Sequence, residues 1–235
     1  MQFTYLLIDF FTVIICFLFS FHPKINFHRY FNAFFKSAVI VGAVFVIWDI
    51  LFTRSGVWWF NYDYLLGIRI SELPIEEILF FICIPFSCVF TYFCLNKFLP
   101  MDWEVQRDKI FVIASIIVYG LAAIYFYDKI YTLVTFLTLT ISLAVLYFVL
   151  NVRWIGKAFI VYLILLPGFL IVNGILTGSG LENPIVNYNP EDLIGFRIIT
   201  IPVEDFFYGF ELILWNLFFF KKFKINELEE AYLEE

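Results

Sequence analysis

Residues 67–81 read GIRISELPIEEILFF and residues 195–209 read GFRIITIPVEDFFYG. One pattern, G-x-R-x-x-x-[LI]-P-x-E-[ED], covers both stretches. In each, a proline is followed after one residue by two adjacent acids and then by an apolar, aromatic run. The residues upstream match as well. Asp49, Thr53 and Gly56 align with Asn173, Thr177 and Gly180, and Asn61 and Tyr62 with Asn187 and Tyr188. Gly67, Arg69, Pro74 and Glu76 align with Gly195, Arg197, Pro202 and Glu204. The spacing between copies slips only in loops, where insertions are tolerated. A segment of roughly a hundred residues is therefore duplicated.

The composition says where such a segment resides. Of 235 residues, 63% are hydrophobic and 15% charged, and mean hydropathy is +0.90. Soluble domains carry about 45–50% apolar and about 25% charged residues, so this chain is an integral membrane protein. A spanning helix needs about 20 mostly apolar residues. Seven runs qualify: 3–21, 33–52, 75–96, 110–127, 130–150, 157–176 and 203–220. They are continuous rather than alternating, which selects helices over barrel strands. The first run has neither a basic leader nor a small-residue cleavage site and is expected to be retained as a span.

Basic residues set the orientation. Lys24, Arg29, Lys36, Lys97, Arg107, Lys109, Arg153, Lys157, Lys221, Lys222 and Lys224 fall on one side; Arg54, Arg69, Lys129 and Arg197 fall on the other. The richer side is expected to be cytoplasmic, with the N-terminus outside and both acid pairs at the outer face. Trp58, Trp59 and several tyrosines share that face, as an aromatic belt would.

Three is odd, so tandem three-helix copies would point in opposite directions; an extra helix between them restores the direction. The expected fold is all-α: seven transmembrane helices in a 3+1+3 parallel internal repeat. Residues 1–100 form the first repeat, 101–129 the linker helix, 130–222 the second repeat and 223–235 an acidic cytoplasmic tail. Both acid pairs then end on one face, and a single site is expected.

Two explanations compete for the acid pairs. Proline and acids suit the first turn of a helix on their own, through the missing N–H and the helix dipole. That account leaves unexplained why both copies place an arginine five residues before the proline and aromatics after the acids. Helical spacing puts Glu204, Tyr208, Glu211 and Trp215 on one stripe, and Glu76, Phe80, Cys83 and Ser87 on the matching one. Acids within a membrane span are functional-site candidates. Burial and a like-charged neighbour favour the neutral carboxyl, whereas the dipole and Arg69 or Arg197 favour the ionised one. A group so balanced serves as a general acid. Glu76, Glu77, Glu204 and Asp205 are therefore the catalytic candidates, supported by Asp49, Arg69, Arg197, Asn173 and Glu211. Trp58, Phe80, Phe81, Phe206, Phe207, Tyr208, Phe210 and Trp215 offer aromatic faces that stabilise a cation by roughly 0.5–2 kcal/mol each.

Other chemistry has no sequence basis. The cysteines at 16, 83, 88 and 94 lie in apolar runs without CxxC spacing, and His22 and His28 lack partners spaced as metal ligands. No metal site, nucleotide-binding motif or nucleic-acid-binding patch is present in the pattern. The acids and aromatics suit proton-initiated chemistry on an apolar polyene.

The doubled LPIEEILFF and IPVEDFFYG, with Asp49 and Trp58 spaced as D-x(8)-W, resemble the small membrane-integral lycopene cyclases of carotenoid biosynthesis. These occur as two short subunits or as one fused chain, and this chain looks like the fused form over about residues 1–222. The resemblance implies cofactor-independent isomerisation of a linear carotenoid end group to a ring, most readily the β ring, in the cell membrane. It implies Glu76 or Glu204 as proton donor and a carboxylate of the other pair as base. Asp205 stands where the first copy has Glu77, and Asn173 where it has Asp49, so the copies are expected to be specialised.

Two other classes remain open: a proton-coupled small-solute carrier of the same 3+1+3 plan, and a non-catalytic carotenoid-binding subunit. A seven-span retinal protein needs a lysine in its last span, and 203–220 contains none. Oligomeric state leaves no trace in the sequence.

Overall fold

The computed structural model describes residues 2–99 and 104–233. The expected 100/101 boundary and the side chains of the acidic tail from residue 227 onward lie outside the described residues. Seven α-helices coincide with the seven apolar runs: α1 (Thr4–Phe19), α2 (Phe31–Arg54), α3 (Ile75–Phe98), α4 (Val105–Tyr125), α5 (Ile130–Ala144), α6 (Ile155–Leu176) and α7 (Val203–Leu233). A single π-helical turn, Val145–Val149, extends α5. Five helical stretches are long and apolar enough to cross a membrane: Phe27–Arg54, α3, α4, Ile130–Val149 and α6. α1 is apolar but has only 16 residues, about 24 Å at 1.5 Å per residue. α7 is the longest helix, with 31 residues, and carries Glu204, Asp205 and Glu211 in its apolar half. It continues 13 residues past the end expected from hydropathy, because the polar tail remains helical.

Short strands, unforeseen in the sequence, fill the α2–α3 and α6–α7 connections. They are β1 (Trp58–Phe60), β2 (Arg69–Ile70), β3 (Leu73–Pro74), β4 (Val186–Tyr188), β5 (Arg197–Ile198) and β6 (Ile201–Pro202). β2 pairs with β3 and β5 with β6, with Arg69 opposite Pro74 and Arg197 opposite Pro202. These are two-residue hairpins, and the turns place Ser71 (φ 56°) and Ile199 (φ 61°) in the left-handed region. Each turn is tied to the helix before it. In the first copy Arg54 donates to Ser71 Oγ at 3.0 Å and pairs with Glu72. In the second, the Thr200 hydroxyl lies 2.8 Å from those of both Thr177 and Ser179.

β1 pairs antiparallel with β4, Trp59 facing Asn187 at its centre. Two flanking bonds extend the symmetry: Asn61 N–H donates to the Ile185 carbonyl, and Asn189 N–H to the Val57 carbonyl, both at 2.8 Å. This register corrects one sequence alignment. Asn61 corresponds to Asn189, not Asn187, and the only slippage between Gly56/Gly180 and the acid pairs is an insertion at 181–184.

The chain forms two compact units. One comprises the residues up to Arg54, Tyr62–Leu99 and α7 from Leu212. Its centre is the fully buried Phe27, ringed by Phe31, Phe86, Phe90, Phe93 and Phe220 with centroids 5.2–6.0 Å away. The other comprises Ser55–Asn61 and the chain from α4 to Glu211, with α4 packed on α5 and α6. Its core includes Leu139, Leu143, Leu146 and Ile155, all fully buried.

Candidate functional site

Each hairpin delivers its acid pair to a helix start. Pro74 precedes α3 in extended backbone (φ −65°, ψ 150°), so Glu76 and Glu77 occupy the first turn. Glu204 and Asp205 occupy the first turn of α7. The first acid of each pair then turns away from its own helix. Glu76 Oε1 accepts the Leu66 N–H at 2.7 Å, and Glu204 Oε1 accepts the Ile194 N–H at 2.8 Å. Leu66 and Ile194 immediately precede Gly67 and Gly195, whose positive φ (82° and 87°) turns the chain back over the helix start. Glu204 Oε1 also accepts from Thr132 Oγ1 at 2.6 Å. Both residues are 0% exposed, and Oε2 of each has no hydrogen-bond partner among the described residues. Helix-start chemistry alone would leave these carboxyls in water at the helix end. Here they are pinned by one oxygen and bare at the other.

The second acid is held differently. Glu77 Oε2 accepts from Tyr5 Oη of α1 at 2.7 Å, and the Asp49 carboxyl of α2 lies beside its own. Asp205 Oδ1 accepts from Tyr131 Oη of α5 at 2.8 Å, and Oδ2 accepts from Tyr188 Oη at 2.9 Å and Asn173 Nδ2 at 3.2 Å. Asp205 thus accepts at both oxygens from neutral donors, whereas Glu77 has the Asp49 carboxyl where Asp205 has the Asn173 amide. The Asp49/Asn173 exchange between copies is the chemical source of the difference.

Glu211 lies two turns along α7, with Oε1 accepting from Ser142 Oγ at 2.6 Å and Oε2 lying 2.9 Å from Thr138 Oγ1. The stripe Glu204, Glu211 therefore faces α5. In the first copy, Ser87 Oγ donates to the Thr12 carbonyl and the Phe80 ring lies 6.4 Å from Tyr5, so that stripe faces α1. Trp215 falls in the other unit and packs against Phe218 and Phe219 of its own helix.

The arginines stack on tyrosines. The Arg69 guanidinium lies 3.7 Å from the Tyr62 ring centroid and that of Arg197 5.6 Å from Tyr188, with Arg197 Nη1 donating to the Thr200 carbonyl at 2.6 Å. Arg197 therefore reaches Asp205 through Tyr188, the tyrosine that donates to it. Around Asp205 the rings of Trp58, Tyr131, Tyr188 and Tyr208 meet at 5.2–6.4 Å. Phe207 packs on Phe136 and Tyr119, Phe206 on Phe169, and Phe210 on Phe159 and Tyr162. Phe81 is buried against Phe45 and Phe80.

Sequence reasoning missed Tyr5, Asp9, Tyr131 and Thr132. The signal existed in a second duplicated line: YLLIDFFTVIIC at 5–16 and YTLVTFLTLTIS at 131–142 share Tyr, Leu, Phe, Thr and Ile at the same places. It is weaker than the proline–acid line because most matches are apolar residues any span would carry.

Comparison with known proteins gives a family. The model of the family described as lycopene cyclase matches residues 2–95 and 128–223, the two copies of the duplication. No curated protein and no solved structure matches the chain.

Proposed function

This chain belongs to the lycopene cyclase family, and we propose that it closes the linear end group of lycopene, or a related linear carotenoid, into a β ring by proton-initiated isomerisation. The observation that carries this reading is the repeated carboxyl with one pinned and one bare oxygen, Glu76 and Glu204. A proton on the bare oxygen has no competing acceptor among the described residues and is available to a carbon–carbon double bond. In the proposed sequence the proton adds at C2 of the terminal C1=C2 bond, leaving the cation at C1. The C5=C6 electron pair forms the C1–C6 bond and moves the cation to C5. Loss of the C6 proton to a carboxylate restores C5=C6 and gives the β ring; loss from C4 would give the ε ring. One proton enters and one leaves, so the sum consumes no oxidant or reductant.

Glu77 and Asp205, held at both carboxyl oxygens or flanked by a neighbouring carboxyl, set the charge beside the reacting acids. Trp58, Tyr131, Tyr188 and Tyr208 offer aromatic faces beside the second acid pair, and Tyr5, Phe80 and Phe81 do so beside the first. The apolar helices suit a substrate that is itself dissolved in lipid. The 3+1+3 arrangement in the cell membrane, with the acid pairs at the outer face, is part of the same proposal and rests on the distribution of basic residues.

The test is expression in lycopene-accumulating bacterial cells, beside Glu76→Gln and Glu204→Gln. A cyclic carotenoid from the wild type, lost in at least one variant, is the expected result, and its spectrum separates β from ε rings. Unchanged lycopene with folded wild type in the membrane would overturn the reading.

A further inference from the structure

Asp9 of α1 is 2% exposed, and neither carboxyl oxygen has a hydrogen-bond partner among the described residues. It lies one helical turn beyond Tyr5, the donor to Glu77, and within electrostatic range of Glu76, Glu77 and Cys83 of α3. Tyr5 on its own helix, and Asp49 of α2 beyond Tyr5, complete the titratable groups of this cluster. No cation faces it. An ionised carboxylate buried without a partner costs several kcal/mol, so the bare geometry is that of a neutral acid holding its proton.

The duplication gives this residue a context. The position equivalent to Asp9 is Thr135, and the position equivalent to Cys83 is Glu211. Each copy therefore carries one deeper acid below its acid pair, on the first helix in one copy and on the third in the other. The surroundings are equivalent too: Thr12 donates to the Ile8 carbonyl at 2.7 Å as Thr138 does to Val134 at 2.9 Å. Thr138 and Ser142 hold Glu211, and their counterparts are Thr12 and Cys16.

We propose that Asp9 is the proton reserve of the first acid pair, returning a proton to the Glu76–Glu77–Asp49 cluster after each transfer, as Glu211 does for Glu204 and Asp205. Asp9 acts through those acids and is a positioning and relay residue. The transfer balances: the cluster carboxylate gains the Asp9 proton, and the Asp9 carboxylate regains one from the proton released at ring closure. This role rests on the cyclase reading above.

The experiment compares purified full-length wild type, Asp9→Asn, and the triple variant Asp9→Thr/Cys83→Glu/Cys16→Ser, which rebuilds the second copy's arrangement in the first. Infrared spectroscopy reads the C=O band of a carboxylic acid free of hydrogen bonds; lycopene cyclisation is followed across pH. The band is expected in wild type and absent in Asp9→Asn. Asp9→Asn is expected to slow cyclisation by roughly 100-fold, the scale of a positioned proton-transfer group, and to change the pH profile. The triple variant is expected to recover most of the rate. Wild-type rate and pH profile in Asp9→Asn would overturn the proposal, as would a folded triple variant as slow as Asp9→Asn. A band lost in Asp9→Asn from a wild type that leaves lycopene unchanged would overturn the cyclase reading while retaining Asp9 as a proton holder.

Discussion

Two adjacent acids at a helix start do different work because their oxygens have different partners. Glu204 keeps a bare Oε2, whereas both oxygens of Asp205 are engaged by Tyr131, Tyr188 and Asn173. Replacing Glu204 by Gln removes the transferable proton while preserving shape and the Ile194 and Thr132 contacts at the carbonyl. Cyclisation is expected to fall by about 100-fold or more with little change in melting temperature. Tyr131→Phe and Tyr188→Phe each remove one bond to a carboxylate, worth about 1.5–3 kcal/mol. Each is expected to slow turnover by about 10-fold or more, and Tyr188→Phe also to weaken the influence of Arg197, which lies on that ring. Equal rates in Glu204→Gln and wild type, measured on pigment extracts normalised to protein, would remove Glu204 from the proton path.

At the scale of the element, the helices were legible and the ribbons between them were not. Seven apolar runs announce seven helices because a span must bury some twenty apolar residues in sequence. Strands of two or three residues leave no periodic pattern, and β1 and β4 find each other across 128 positions. The insertion at 181–184 hid the correct pairing of Asn61 with Asn189, since Asn-Tyr recurs two residues early at 187–188. The acid pairs and Asp49 with Asn173 were visible, because polar residues stand out against lipid-compatible neighbours. Tyr5 and Tyr131 were not, since tyrosine at a span end reads as belt. The second hairpin also stores strain: Ile199, β-branched and 70% exposed, sits at φ 61°. Ile199→Gly is expected to raise stability by about 1 kcal/mol, seen as a higher melting temperature in detergent. The start of α7 has the opposite sensitivity. A Cβ at Gly209 would lie 3.1 Å from Tyr162 Oη and 3.4 Å from Phe169 Cε2. Tyr162 Oη is occupied in donating to the Phe206 carbonyl at 2.8 Å, so it cannot yield without losing that bond. Gly209→Ala is expected to destabilise by about 1–3 kcal/mol; an unchanged melt would show that the two rings adjust freely.

For the whole molecule, the boundary of the duplication and the boundary of packing do not coincide. The duplication divides the chain near the α3–α4 connection, yet the unit built on α1, α2 and α3 also contains α7 from Leu212. The fully buried Phe27 has the Phe220 ring 5.7 Å away, and Lys224 Nζ lies 4.3 Å from the Tyr30 ring centroid and 4.8 Å from that of Phe93. Without α7 those apolar faces would meet lipid or water instead of a matched surface, and the first three helices would lack part of their core. Cutting the chain between Leu99 and Glu104 should therefore give two fragments that need each other. Co-expression of both in lycopene-accumulating cells is expected to yield the same cyclic carotenoid as the uncut chain. Either fragment alone is expected to leave lycopene unchanged, and the first to be depleted from membranes by proteolysis. Cyclisation by the first fragment alone would show that Phe220 and its neighbours are dispensable. No cyclisation from the co-expressed pair, with both fragments present, would show that covalent continuity through the linker is itself required.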